Sequence, residues 1–145
     1  QSLNLNNLTI ASPAMGGSKR AYAYSKALES DVVICYKQRA KANVISHMEL
    51  IGDVTGKNVV LVDDMVDTAG TLTKAADVMM ERGALSVRAI CTHPILSGNA
   101  YQKIENTCLE LCTTFCRCYA QCTLQQVHKL KIYHVRPLLW SQREL

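Results

Sequence analysis

Residues 59–72, Val-Val-Leu-Val-Asp-Asp-Met-Val-Asp-Thr-Ala-Gly-Thr-Leu, constrain the fold more than any other stretch. Val59 to Val62 are apolar, β-branched or Leu, as in a strand buried on both faces. Two carboxylates, Asp63 and Asp64, stand at its carboxyl end, and a run of small residues follows: Asp67, Thr68, Ala69, Gly70 and Thr71. Leu72, Ala75, Ala76, Val78, Met79 and Met80 then recur at helical spacing. A strand, a small-residue loop and a helix start together form an arrangement that binds phosphate. The first N–H groups of the helix have no intrahelical acceptor, and the helix dipole favours an anion there. The hydroxyls of Thr68 and Thr71 can add donors, and Gly70 lets the backbone approach closely. No Gly-Lys-Ser/Thr is present, so this is not the nucleoside-triphosphate P-loop.

Asp63 and Asp64 would repel a phosphate. They suit sugar hydroxyls, which donate hydrogen bonds, or a divalent cation. A phosphate cradle beside paired acids therefore points to a sugar phosphate. The alternative is an ordinary strand-to-helix turn whose aspartates cap the helix.

The chain has 145 residues, enough for one domain with a real core. Hydrophobic residues make up 48% and charged ones 19%, which excludes a disordered chain. The net charge of +4 fits anionic small molecules and is too small to argue for nucleic acid. No apolar run reaches the roughly 20 residues of a membrane span. The polar, uncharged start, Gln1 to Asn7, does not read as a signal peptide. The seven cysteines are therefore expected to be reduced thiols of a cytoplasmic protein. Cys35 and Cys91 fall in expected strands, while Cys108, Cys112, Cys116, Cys118 and Cys122 crowd together near His128. Their spacing is not a paired Cys-x-x-Cys set, so no metal site is assigned to them.

Leu8 to Ala11 and Asp31 to Tyr36 read as strands, with a Pro-Ala-Met-Gly-Gly turn and a helix over 18–28 between them. That glycine turn, with Lys19 and Arg20 behind it, is a second candidate phosphate-facing point; a solvated helix face is the alternative. Residues 37–43, Lys-Gln-Arg-Ala-Lys-Ala-Asn, are basic and lack a hydrophobic period, as in a mobile loop. Val44 to Ile51 reads as a strand or hairpin arm containing a structural His47. Further strands are expected over 86–92, 109–114 and 129–135, with a helix from about Ala100 to Asn106 capped by Ser97. His93 reads as a turn residue or as a nucleotide or metal contact. This alternation predicts an α/β fold with a mostly parallel sheet and helices on both faces. Ligands in such sheets bind beyond the carboxyl ends of the strands, where Lys37, Asp63, Asp64 and residues 67–71 all fall.

The 63–71 stretch resembles the ribose 5-phosphate loop shared by type I phosphoribosyltransferases and ribose-phosphate pyrophosphokinases. Four other segments resemble the pyrophosphokinases in particular: residues 12–17, Ser-Pro-Ala-Met-Gly-Gly; Lys37-x-Arg39; Gly52-Asp53-Val54; and Thr-His-Pro-Ile-Leu-Ser-Gly-Asn-Ala over 92–100. The resemblance implies a type I phosphoribosyltransferase-like domain over 1–145, the C-terminal half of a two-domain, homo-oligomeric enzyme whose N-terminal domain is not in this chain. The implied substrates are ribose 5-phosphate and ATP, and the implied cofactor is Mg2+. Asp67, Thr68, Ala69, Gly70 and Thr71 would hold the 5-phosphate, Asp63 and Asp64 the ribose hydroxyls, and Lys37 and Arg39 the transferring group. The family carries an Asp serving magnesium where this chain has Ala14. From about residue 115 the sequence departs from the family. A non-catalytic relative of the synthetase and a true phosphoribosyltransferase are the other readings.

Overall fold

The computed structural model describes residues 6–41, 44–116 and 130–134. β1 (Leu8–Ser12) leads through a 3-10 turn (Met15–Gly17) into α1 (Ser18–Ala27). β2 (Asp31–Lys41) and β3 (Val44–Ile51) follow, then β4 (Asn58–Val66), α2 (Gly70–Glu81) and β5 (Ser86–Pro94). α3 (Ala100–Glu105), β6 (Leu111–Cys116) and β7 (Leu130–His134) complete the described elements. The strands form one sheet in the order β3-β2-β1-β4-β5-β6-β7. Every neighbouring pair is parallel except β2 and β3, which form an antiparallel hairpin at the edge. This is the expected α/β architecture, a mostly parallel sheet with helices on both faces.

Alternation along β4 explains why helices cover both faces. Val59 and Leu61 point to one side and pack with Leu72, Ala75, Ala76 and Met79 of α2 and with Ala100 and Ile104 of α3. Val60 and Val62 point to the other side and meet Ile10 of β1 and Ala21 of α1. β4 therefore has no solvent face over its first half. Burying each such aliphatic side chain contributes about 1.5–3 kcal/mol, so the central strand anchors everything at its carboxyl end.

α2 buries Leu72, Ala75, Ala76, Val78 and Met79, while Met80 turns outward. The helix begins at Gly70, two residues before its first apolar position, so Gly70 and Thr71 belong to its first turn. It stops at a Schellman cap: the Ala84 N–H reaches the Met79 carbonyl and the Gly83 N–H the Met80 carbonyl, both at 3.0 Å. Gly83 takes φ +87°, which glycine adopts without strain.

Two of the boundaries that differ from the sequence reading bear on the site. β4 runs on through Asp63 and Asp64 to Val66, because β5 continues beside it as far as Pro94. The basic segment is not a loop over its described part. β2 continues through Lys37 and Arg39 to Lys41, because β3 supplies a hairpin partner for its backbone groups. Ala42 and Asn43 lie outside the described residues, as do Cys118, Cys122 and His128. Cys35 and Cys91 are buried in β2 and β5. Burial pushes the Cys35 thiol up to about 12, so it stays protonated and acts as a small hydrophobe.

Candidate functional site

A cleft of about 290 Å3 opens at the carboxyl ends of β2 and β4. Its lining includes Ala14, Lys37, Asp63, Asp67, Gly70 and Thr71. Residues from three separate segments thus converge where an open α/β sheet places its ligands.

The loop from Asp67 to Ala69 is held from one side. The carbonyl of Val66 accepts from the N–H groups of Ile95 and Leu96 at 2.9 and 3.1 Å, and that of Asp67 from the Ser97 N–H at 3.0 Å. The Thr68 carbonyl accepts from the Lys103 ammonium at 3.2 Å. The Ala69 carbonyl accepts from both the N–H and the hydroxyl of Thr73 at 3.0 Å. Four successive carbonyls are committed to the β5–α3 connection and to α2. The amides at the start of α2 have no acceptor within the helix and face the cleft side. Ala69, the residue before the helix, sits at φ +59°, a left-handed conformation that costs a non-glycine residue about 1–2 kcal/mol. It is held there by burial against the core.

Lys37 reaches the cleft from β2, and its ammonium donates to Thr71 Oγ1 at 3.2 Å. The strand thus carries a cation to the first turn of the helix, where an anion is favoured. Arg39 lies farther along β2, opposite Ile45.

The two adjacent aspartates part company. Alternation along β4 sends Asp63 to the α2 side, where it lines the cleft. Asp64 goes to the α1 side, where its carboxylate meets the Arg20 guanidinium at 3.2 Å. Burial pushes the Asp63 carboxyl up to about 6, and the neighbouring Asp64 carboxylate adds to the effect. Asp64 moves the other way: its hydrogen bond with the Asp63 carboxyl lowers it first, and Arg20 assists. The Asp67 carboxylate accepts from the Ser97 hydroxyl.

Sequence reasoning placed Ser97 as the cap of α3, yet Asn99 occupies that position and makes no side-chain cap bond. Ser97 instead pins the 67–69 loop. Lys103, 35 residues from Thr68, was not singled out by sequence; no local pattern marks a contact that only the packing of α3 creates. Arg20 was legible as a basic residue behind the glycine turn, but its partner Asp64 was not. Gly17 in that turn is required by close approach: a Cβ there would stand 2.5 Å from Ser12 Oγ. His47 does not line the cleft; its Nε2 lies 3.3 Å from Glu49 Oε1 on the exposed side of β3. His93 is exposed in β5, not in a turn.

Ala14 lines the cleft, Asp67 is engaged by Ser97, and Asp63 is the remaining cleft carboxylate, so a magnesium ion here would depend on substrate oxygens and water for its other ligands. Among the described residues no three His, Cys, Asp or Glu side chains gather as a metal site.

The model of the phosphoribosyl transferase domain family matches residues 1–114. The chain belongs to that family. Over 110 residues it is 51% identical to a ribose-phosphate pyrophosphokinase of Porphyromonas gingivalis and 54% identical to one of Wolinella succinogenes. These matches cover 76% of this chain but 35% and 36% of the relatives, so the chain spans about a third of their length. Among solved structures, the phosphoribosylpyrophosphate synthetase of Mycobacterium smegmatis superposes with a TM-score of 0.77 at 26% identity. That match covers 92% of this chain and 42% of the synthetase. A purine phosphoribosyltransferase of Pyrococcus horikoshii matches with a TM-score of 0.52 at 26% identity, covering 63% of this chain and 64% of that one. The family match ends at Thr114. No helix among the described residues is long and apolar enough to cross a membrane.

Proposed function

We infer that this chain is a ribose 5-phosphate-binding domain of a ribose-phosphate pyrophosphokinase, the C-terminal one of two similar domains in a homo-oligomeric cytoplasmic enzyme. The whole enzyme transfers the pyrophosphoryl group of Mg-ATP to ribose 5-phosphate. The anomeric oxygen forms the new bond to phosphorus, AMP leaves, and phosphoribosyl pyrophosphate results. In this reading Thr68, Ala69, Gly70 and Thr71 hold the 5-phosphate through amides and hydroxyls, and Asp67 shapes the loop. Asp63 accepts from ribose hydroxyls on the cleft side, with Asp64 beside it on Arg20. Lys37 and Arg39 offset charge that builds on the transferring group. No metal is assigned to this chain's residues, and the Mg2+ of the reaction arrives with the nucleotide.

One observation carries the reading: the Lys37 ammonium stands 3.2 Å from Thr71 Oγ1, at the start of α2, in the same cleft as Asp63. Donors for a phosphate and an acceptor for a sugar lie side by side. Calorimetric titration of the chain with ribose 5-phosphate, with and without Mg2+, tests it. Saturable binding that disappears in an Asp67→Ala/Thr71→Ala variant supports the sugar-phosphate site. No binding by the folded chain overturns it.

A second reading, a non-catalytic subunit of the synthetase, is favoured by Ala14, which lines the cleft where the resemblance implies an Asp. The chain alone is expected to form no AMP from ATP and ribose 5-phosphate. Release of pyrophosphate that depends on an added base would instead mark a phosphoribosyltransferase.

A further inference from the structure

We propose that Lys103, which stands beside the cleft residues Thr68 and Gly70, is a second phosphate-binding cation; this rests on the sugar-phosphate reading above. Lys103 sits in α3 between Ala100 and Ile104, both fully buried, so the helix holds its backbone in place. Its ammonium lies 3.2 Å from the Thr68 carbonyl. A methyl group placed on Gly70 would stand 3.8 Å from Lys103 Nζ and 3.8 Å from Thr68 Oγ1. The space on the Cβ side of Gly70, the first residue of α2, is therefore bounded by an ammonium and a hydroxyl.

The charge on Lys103 is available to an anion. Among the described residues Arg20, Lys57 and Arg88 are matched by Asp64, Asp31 and Glu110, whereas Lys103 makes no ion pair. It rests on a neutral carbonyl, which uses one of its three donors. The others can reach a phosphate oxygen over Gly70 after a small rotation of a flexible side chain. Lys37 on Thr71 and Lys103 on Thr68 then bracket the helix start, one from β2 and one from α3. A phosphate monoester carries close to two negative charges at neutral pH, so two cations answer it better than one.

The test is titration of the full chain with ribose 5-phosphate and separately with inorganic phosphate, at low and high salt. Lys103→Met is expected to weaken both by about tenfold at low salt, the scale of a charge-assisted hydrogen bond. The gap should shrink as salt screens the charge. Lys103→Arg should keep binding within about threefold of the starting chain. Lys103→Gln serves as the uncharged variant if Met misfolds, and thermal unfolding of each apo variant checks the fold. Unchanged binding in Lys103→Met, or a deficit equal at both salt levels, overturns the proposal and leaves Lys103 as a loop pin. The sugar reading fails separately if the starting chain binds inorganic phosphate as tightly as ribose 5-phosphate. If it binds neither, both fall.

Discussion

Arg20 holds Asp64 at 3.2 Å on one face of β4, while Asp63, one residue earlier, faces the ligand cleft on the other. A pair of acids adjacent in sequence is thus divided between two tasks by the pleat of a strand. Asp64 ties α1 to the end of β4. Asp63 stays in a half-buried position where its carboxyl group is pushed up to about 6.

That displacement has a definite sign in stability. An unfolded aspartate releases its proton near pH 3.9, whereas Asp63 in the fold keeps it to about 6. Between these values the folded chain binds more protons than the unfolded one, so the contribution of Asp63 to stability falls as pH rises through the window and is level above it. Asp63→Asn should therefore unfold at a similar temperature to the starting chain at pH 4 and a few degrees higher at pH 7, a gain of about 1–2 kcal/mol. Thermal unfolding across pH 4–7 measures it; parallel curves would refute the assignment. The same ionisation should appear in binding. The ligand phosphate loses its own second proton near pH 6, so the informative quantity is the difference between the pH profiles of the two proteins. The starting chain is expected to gain affinity relative to Asp63→Asn as pH rises through 6, because a carboxylate accepts from sugar hydroxyls better than a neutral carboxyl group.

Much of this site was legible in the sequence, and what was missed has physical causes. Val59 to Val62 and the 72, 75, 76, 79 spacing fixed a buried strand followed by a helix, since both faces of β4 and one face of α2 are apolar. The carboxylates appeared to end the strand at Val62, because exposed charge is a poor sign of a central strand. Only the register with β5, which pairs Asp63 with Cys91 and Met65 with His93, shows that the pleat continues. Extending the period-2 pattern by two residues would have separated Asp63 from Asp64. The basic run after Tyr36 has no apolar alternation, yet it extends β2 because hairpin hydrogen bonds do not depend on side chains. Ser97 had the residue type of a helix cap, and its hydroxyl serves a loop 30 residues away instead. Lys103 carried no signal at all, since its relation to Thr68 exists only after α3 has packed on the core.

The Ser97–Asp67 contact should matter more to the ligand than to the fold. Ser97→Ala removes the hydroxyl that the Asp67 carboxylate accepts, but the Ser97 N–H still donates to the Asp67 carbonyl at 3.0 Å. Asp67 is exposed, so water can take the place of the lost donor, and the cost in stability should be near the low end of about 0.5–1.5 kcal/mol. The loop then loses one of the ties that hold its amides toward the cleft, and ribose 5-phosphate affinity should fall by about three- to tenfold. Asp67→Ala should give a similar loss. The double variant should be little worse than either, since both remove one interaction. Fully additive losses in a titration cycle would mean that the two side chains act independently.

Gly70 separates stability from binding most cleanly. Its φ is not among the positive values of this chain, and a Cβ placed on it meets nothing nearer than 3.8 Å, an ordinary contact. Gly70→Ala should therefore be accepted by the fold. It should raise stability by about 0.4–1 kcal/mol, because alanine restricts the unfolded chain and suits a helical position. The added methyl group would point between Thr68 Oγ1 and Lys103 Nζ, into the space where a phosphate oxygen would sit. Ribose 5-phosphate affinity should drop by tenfold or more while the unfolding temperature rises. Denaturant unfolding and calorimetric titration of the same preparation read the two effects side by side. A variant that is more stable and binds as before would mean that the phosphate does not approach the helix start over Gly70.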